Sequence, residues 1–239
     1  SGSKSALTSP AVQQLDSLYL RALKLNPFLD RRLFSRALRK MWTDEISRDI
    51  RKRYPSASIT DMDIAHALLQ FIRQAPADVR AYLAHSDGRY GEAVTLYDHA
   101  IRESTRPAEL HAEMGRVLFM LGRYGEAIEQ LRHAMNQLRA EDEDELKRIY
   151  SSKALYLHAI GLIHETRGDT TAARRMYAEA LQEDLSYHPG HIRLAELALA
   201  AGETATGINE MRLAAEISPD EAVVLVSYAR LLTAVGALA

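Results

Sequence analysis

The chain has 239 residues, 47% hydrophobic and 26% charged, with a formal net charge of −2, so one large or two small globular units can bury a sizeable core. Near-neutral charge argues against a whole-molecule attraction to nucleic acid or to an anionic membrane, and any basic site has to be local. Cysteine is absent, which removes disulfides, thiolate metal sites and cysteine nucleophiles together. No window approaches the ~18 uninterrupted apolar residues of a membrane span, so the chain reads as soluble, cytoplasmic or periplasmic, with no membrane insertion. The opening Ser1-Gly2-Ser3-Lys4-Ser5 lacks the basic and apolar runs of a signal peptide and looks like a linker left by trimming a longer chain.

Ser9-Pro10 supplies a helix cap and a first-turn residue. Val12, Leu15, Leu18, Tyr19, Ala22, Leu23 and Leu25 then recur at helical spacing until Asn26-Pro27. A longer helix is expected from Leu29 to about Arg53, with Leu33, Phe34, Ala37, Leu38, Met41, Trp42, Ile46 and Ile50 on one face. Its other face is basic, carrying Arg31, Arg32, Arg36, Arg39, Lys40, Arg48, Arg51, Lys52 and Arg53. This helix, 31–53, is the chain's candidate for nucleic acid or an acidic partner. No aromatic stacking residues are interleaved with the charges, so a solvated helix face is the plainer account and nucleic acid is disfavoured. A third helix, capped near Thr60-Asp61, runs to about Gln74. Residues 1–75 are therefore expected to form a helical N-terminal region, with a degenerate half repeat at its start.

From residue 76 the chain repeats itself. Gly88-Arg89-Tyr90-Gly91-Glu92-Ala93 returns 34 residues later as Gly122-Arg123-Tyr124-Gly125-Glu126-Ala127. Small residues recur in step at Ala81 and Gly115, Ala93 and Ala127, and Ala100 and Ala134, as close helix contacts require. Larger ones recur at Tyr90 and Tyr124 and at Tyr97 and Leu131. The pattern continues at Gly161, Gly168, Ala173, Tyr177 and Ala180, and again at Ala195, Gly202, Met211 and Ala214. Gly207 stands where that second helix should carry Ala, a weakening of about 1 kcal/mol.

Gly168 lies 46 residues after Gly122, so 12 residues are inserted between 138 and 153. The acidic run 141–145 is expected to cap a lengthened first helix of the third repeat. It lacks the central Gly and spaced ligands of a calcium loop. Glu221 to Val235 looks like a fifth first helix whose outer face is left apolar by Val223, Val224, Leu225, Val226, Leu231, Leu232 and Val235. Either the native chain continues, which is the favoured reading, or Val223–Val235 packs on another copy or partner.

A period of about 34 residues with Gly-x-Tyr-x-x-Ala opening each second helix resembles the tetratricopeptide repeat, a helix-turn-helix unit. The resemblance implies an all-α, right-handed superhelix of antiparallel helix pairs, divided here into 76–107, 108–153 with the insertion, 154–187, 188–220 and a partial repeat or cap at 221–239. It also implies a non-catalytic scaffold or adaptor whose first helices line a concave groove that takes a peptide or protein segment. On that frame Tyr82, Arg116, Phe119, Met120, His158, Leu162, Glu196 and Arg230 point inward, along with His85, Glu165 and Leu199. Arg116, Phe119 and Met120 are the favoured anchors. Asp78, Tyr82, Ala112 and Arg116 fill the slots where some relatives use Lys and Asn to grip a terminal carboxylate, so that clamp is not expected. No phosphate-cradling loop, nucleophile elbow or His-Glu-x-x-His is present, and no enzyme activity, cofactor or metal is implied. His188 and His191 lack a third metal ligand.

Overall fold

The structure, a computed structural model, describes residues 28, 44, 47–48, 51–52, 60, 73–144 and 153–234. Most of the N-terminal region, including the basic helix apart from Ser47 and the exposed Asp44, Arg48, Arg51 and Lys52, lies outside the described residues. So do residues 145–152 of the insertion and 235–239 at the C-terminus. Nine helices have their bounds within the described residues, and no strand occurs among them. They are α1 (Ala77–Ser86), α2 (Tyr90–Glu103), α3 (Ala108–Met120), α4 (Tyr124–Asp144), α5 (Ala154–Thr166), α6 (Thr170–Glu183), α7 (His188–Ala200), α8 (Thr204–Ile217) and α9 (Ala222–Ala234). The chain divides into two compact units, residues 1–127 and 128–239, with the division inside α4.

The alternation of first and second helices follows from one turn used four times. Gly88, Gly122, Gly168 and Gly202 have φ between 72° and 79°, a left-handed backbone that L side chains rarely adopt. In α1 the turn closes with Gly88 N–H donating to His85 O at 3.0 Å and Arg89 N–H to Ala84 O at 2.9 Å. The same two bonds recur at Gly122 and Arg123, at Gly168 and Asp169, and at Gly202 and Glu203. This is the glycine-terminated helix end in which otherwise orphaned carbonyls find donors. The next helix begins within two residues, so each first helix must fold back against its second.

In the first unit, Ala81 and Ala84 of α1 meet Ala93 and Tyr97 of α2 and Val117 of α3 in one buried cluster. In the second, Ala173 and Tyr177 of α6 pack with Leu197 of α7, and Ala195 of α7 packs with Met211 of α8 and Leu231 of α9. The small residues are sites of close approach. A Cβ on Gly161 would fall 2.4 Å from Tyr177 Cε1, and one on Gly207 would fall 2.7 Å from Leu199 Cγ. Gly207 thus has a packing reason that the period alone does not show: it gives up helix propensity to admit Leu199.

The insertion differs from expectation. Residues 141–144 end α4, the second helix of the second repeat, which reaches 21 residues where α2, α6 and α8 have 14. The following first helix, α5, begins only at Ala154. Beyond the normal stopping point the sequence offers no Gly or Pro, while Leu138, Arg139, Ala140, Glu141 and Glu143 are good helix formers. Propensity carries the helix on, even though acids at a helix C-terminus oppose its dipole.

Candidate functional site

The described first helices carry a polar relay in each unit, built from the same backbone slots. In the second unit Arg193, on α7, donates through Nη2 to Glu165 Oε1 and Oε2 at 2.7 Å each and through Nε to Oε2 at 3.1 Å. Its Nη1 donates to Glu196 Oε2 at 2.5 Å. Tyr177, on α6 behind them, donates its hydroxyl to the same Glu165. Arg193 is an apt choice because a planar guanidinium can serve two carboxylates in fixed directions. Burial works against the Arg193 charge, but the bonds to Glu165 and Tyr177 and the charge of Glu196 hold it above its ordinary value. Burial and then the Glu165 carboxylate push the Tyr177 phenol well above its own, so it stays a neutral donor.

In the first unit the slots are filled differently. His85 Nδ1, on α1, lies 3.5 Å from Glu113 Oε2 on α3, and Glu113 pairs with Arg116 one turn along. His85 also sits edge-on to Tyr97 of α2, at a centroid distance of 6.4 Å. Glu165 and His85 each stand three residues before a turn glycine, Arg193 and Glu113 nine before the next, and Glu196 and Arg116 six before it. Both inter-repeat pairs are therefore 28 residues apart.

His158 lies behind the second relay. It is 1% exposed, with its ring 5.2 Å from that of Tyr177 and 5.5 Å from that of Tyr187. Neither ring nitrogen has a hydrogen-bond partner among the described residues. Burial, reinforced by the positive charge of Arg193, pushes its pKa down to about 3, so it is neutral at physiological pH.

The residues expected to face a partner divide by exposure. Glu196 and Arg230 are exposed, and Tyr82, Met120 and Leu162 are half-buried, with Leu162 packed on the Ala173–Tyr177–Leu197 cluster. Arg116 is buried in its pair with Glu113. Phe119 is half-buried, stacked on Phe28 at 3.8 Å and tilted against Tyr124 at 5.6 Å. Sequence reasoning placed Glu165 and Glu196 on this face but passed over Arg193 and Glu113. A search for ionisable residues 28 apart across two turn glycines finds both.

His188 and His191 turn to separate partners: His188 Nδ1 lies 2.9 Å from Ser218 Oγ, and His191 Nδ1 lies 2.7 Å from Glu210 Oε2. Among the described residues no group of three or more His, Asp or Glu could hold a metal ion, and no helix is long and apolar enough to cross a membrane.

Helix pairs joined by left-handed glycine turns, with first helices coupled from one repeat to the next, define a tandem helical-repeat protein. The family model described as tetratricopeptide repeat matches residues 84–151. Among solved structures, the crystal structure of MamA is 15% identical, covering 65% of this chain and 84% of that one at a TM-score of 0.50. A tetratricopeptide repeat protein from Parabacteroides merdae is 13% identical, covering 89% of this chain and 74% of that one, also at 0.50. At these identities the likeness is one of fold. No curated protein matches the chain.

Proposed function

We propose that this chain is a non-catalytic scaffold that holds a peptide or protein segment against the faces of its first helices, with α5 and α7 forming the principal contact. The observation that carries the reading is the Glu165–Arg193–Glu196 relay. It spans two successive first helices, is fixed from behind by Tyr177, and still leaves Glu196 47% exposed. Prearranged polar groups beside apolar ones such as Leu162 are what fixes a ligand's orientation without a large ordering cost. Two carboxylates around one guanidinium leave one negative charge in excess, so a segment bearing Lys or Arg is favoured over an acidic one. Arg230, on α9 of the same unit, extends the surface in this reading, and in the other unit Tyr82 and Met120 present accessible atoms on first helices of their own. His158 shapes the α5 and α7 surface from within, as Arg116 and Phe119 shape the first-helix face of their own unit.

Site-specific photocrosslinking tests this. With a photoreactive side chain placed at Glu196 or Arg230, crosslinks to a partner are expected in cell extract of the source. They should be few from Arg175, an exposed position on the second helix α6. Equal crosslinking from all three positions would remove the first-helix reading.

A second reading has its own observation. On α9, Val224 and Leu231 are buried, while Leu225 and Val226 remain 45% and 49% exposed. Adjacent exposed aliphatics suit contact with a second copy of the chain. Sedimentation showing a monomer at high concentration would dispose of it.

A further inference from the structure

One slot in three successive first helices of the second unit carries three different chemistries. Leu162 on α5, Glu196 on α7 and Arg230 on α9 follow one another at intervals of 34 residues, so the repeat puts them in register. The three helices are joined to one another: Arg193 of α7 grips Glu165 of α5, and Ala195 of α7 shares a buried cluster with Leu231 of α9. Leu162 is half-buried. The Glu196 side chain stays 47% exposed although it accepts from Arg193. Arg230 is exposed and makes no hydrogen bond or ion pair among the described residues. Across one unit the row therefore reads apolar, acidic, basic.

We propose that this row takes a segment in the polyproline conformation, with an apolar, a basic and an acidic side chain at every third residue seated on Leu162, Glu196 and Arg230 in that order; the assignment rests on the first-helix surface proposed above. Charge complementarity sets the order, because a basic side chain over Glu196 and an acidic one over Arg230 leave no like charges facing each other. Spacing sets the conformation. Packed helices lie about 8–10 Å apart, and a polyproline helix brings every third side chain back to one face after about 9 Å. A β-strand turns every third residue to the opposite face. An α-helix needs about seven residues, or roughly 10.5 Å, to return to the same face. The polyproline form also arrives with little conformational freedom left to lose, which matters where exposed ion pairs each contribute modestly.

The probe is an end-blocked peptide, Pro-Leu-Pro-Pro-Arg-Pro-Pro-Asp-Pro, carrying a neutral dye and titrated with the full chain at low ionic strength by fluorescence anisotropy. It is made in both chain directions, because the row fixes side-chain order and not polarity, and the tighter direction is used. The wild type is expected to bind it at least about tenfold more tightly than the peptide with Arg and Asp exchanged, since the exchange turns two attractions into two repulsions. A peptide with Arg in place of Asp should bind the wild type at least about threefold more weakly, and Arg230→Glu should invert that preference. Arg230 is exposed and unpaired, so this variant is expected to fold as the wild type does, checked by circular dichroism. Should it lose helicity, Arg230→Gln, in which the preference should vanish, replaces it. No binding of any peptide, no preference in the wild type, or a preference unchanged in the folded variant would each overturn the proposal. So would tighter binding of an Ala-rich helical peptide carrying the same three side chains at heptad spacing. Photocrosslinks from Glu196 to a partner lacking the spacing of three would overturn this order while leaving the first-helix surface in place.

Discussion

Replacing His158 with Leu should make the protein less sensitive to acid. In the folded chain His158 is buried between Tyr177 and Tyr187 with its pKa depressed to about 3, whereas in the unfolded chain it titrates near its ordinary value of 6.5. The unfolded state therefore takes up the proton first as pH falls. The stability tied to a neutral His158 is intact above pH 6.5 and is lost progressively from there down to about pH 3. Between pH 7 and pH 5 the loss from this one residue is about 2 kcal/mol, taking roughly 1.4 kcal/mol per pH unit. In a melting experiment that is roughly 4–8 °C. Leu removes the titration, fills a similar volume and deletes two buried nitrogens that have no hydrogen-bond partner among the described residues, so the variant should be at least as stable at pH 7. Urea denaturation of both proteins at pH 7 and pH 5, followed by circular dichroism, isolates the effect from the other histidines, which the two chains share. Parallel losses in the two proteins would refute the reasoning.

Other substitutions separate the forces at work. Arg193→Ala strands Glu165 and Glu196 and should cost about 1–2 kcal/mol, the lower part of the range for charged hydrogen bonds because the site is partly exposed; Arg193→Lys keeps the charge but not the fork and should recover less than half, read from urea midpoints. Gly161→Ala places a methyl group 2.4 Å from the Tyr177 ring and should lower stability by about 1–3 kcal/mol through overpacking. Gly168→Ala meets no neighbour but forces Ala to φ 77°, and should cost about 1–2 kcal/mol through the backbone alone; Gly168→Asn, which tolerates that backbone better, should cost less in the same thermal melts. Leu225→Glu with Val226→Glu should leave unfolding within about 0.5 kcal/mol of wild type while abolishing any self-association seen by sedimentation.

The helix pairing was legible because its determinants are local. A left-handed turn needs glycine, a close helix crossing needs a small side chain, and both recur at fixed spacing, so Gly88, Gly122, Gly168 and Gly202 mark the architecture directly. The acidic run after α4 was harder to place. Its charges suit the start of a helix, yet unbroken propensity from Leu138 onward extends the preceding one instead. Gly207 read as a weakness because its reason, the Leu199 side chain, lies on the facing helix. The contacts of Phe119 were out of reach for a related cause. No periodicity joins residue 119 to residue 28, so their stacking is visible only once the chain is folded.

The two relays show how one scaffold can present different chemistry from the same slots. Stacking brings the residue three before one turn glycine against the residue nine before the next, and the helix then sets the residue six before it one turn away. That geometry demands complementarity between neighbours but does not dictate which side is positive. In the first unit the carboxylate is central, and the outer member, Arg116, is buried against it. In the second the guanidinium is central and the outer member is a carboxylate, Glu196, that remains half in solvent. Inverting the centre inverts the charge offered at the edge, and burial decides whether it is offered at all. Of the two outer members only Glu196 is exposed rather than held in a buried pair, which is why the preference for a basic segment that we propose falls on α5 and α7.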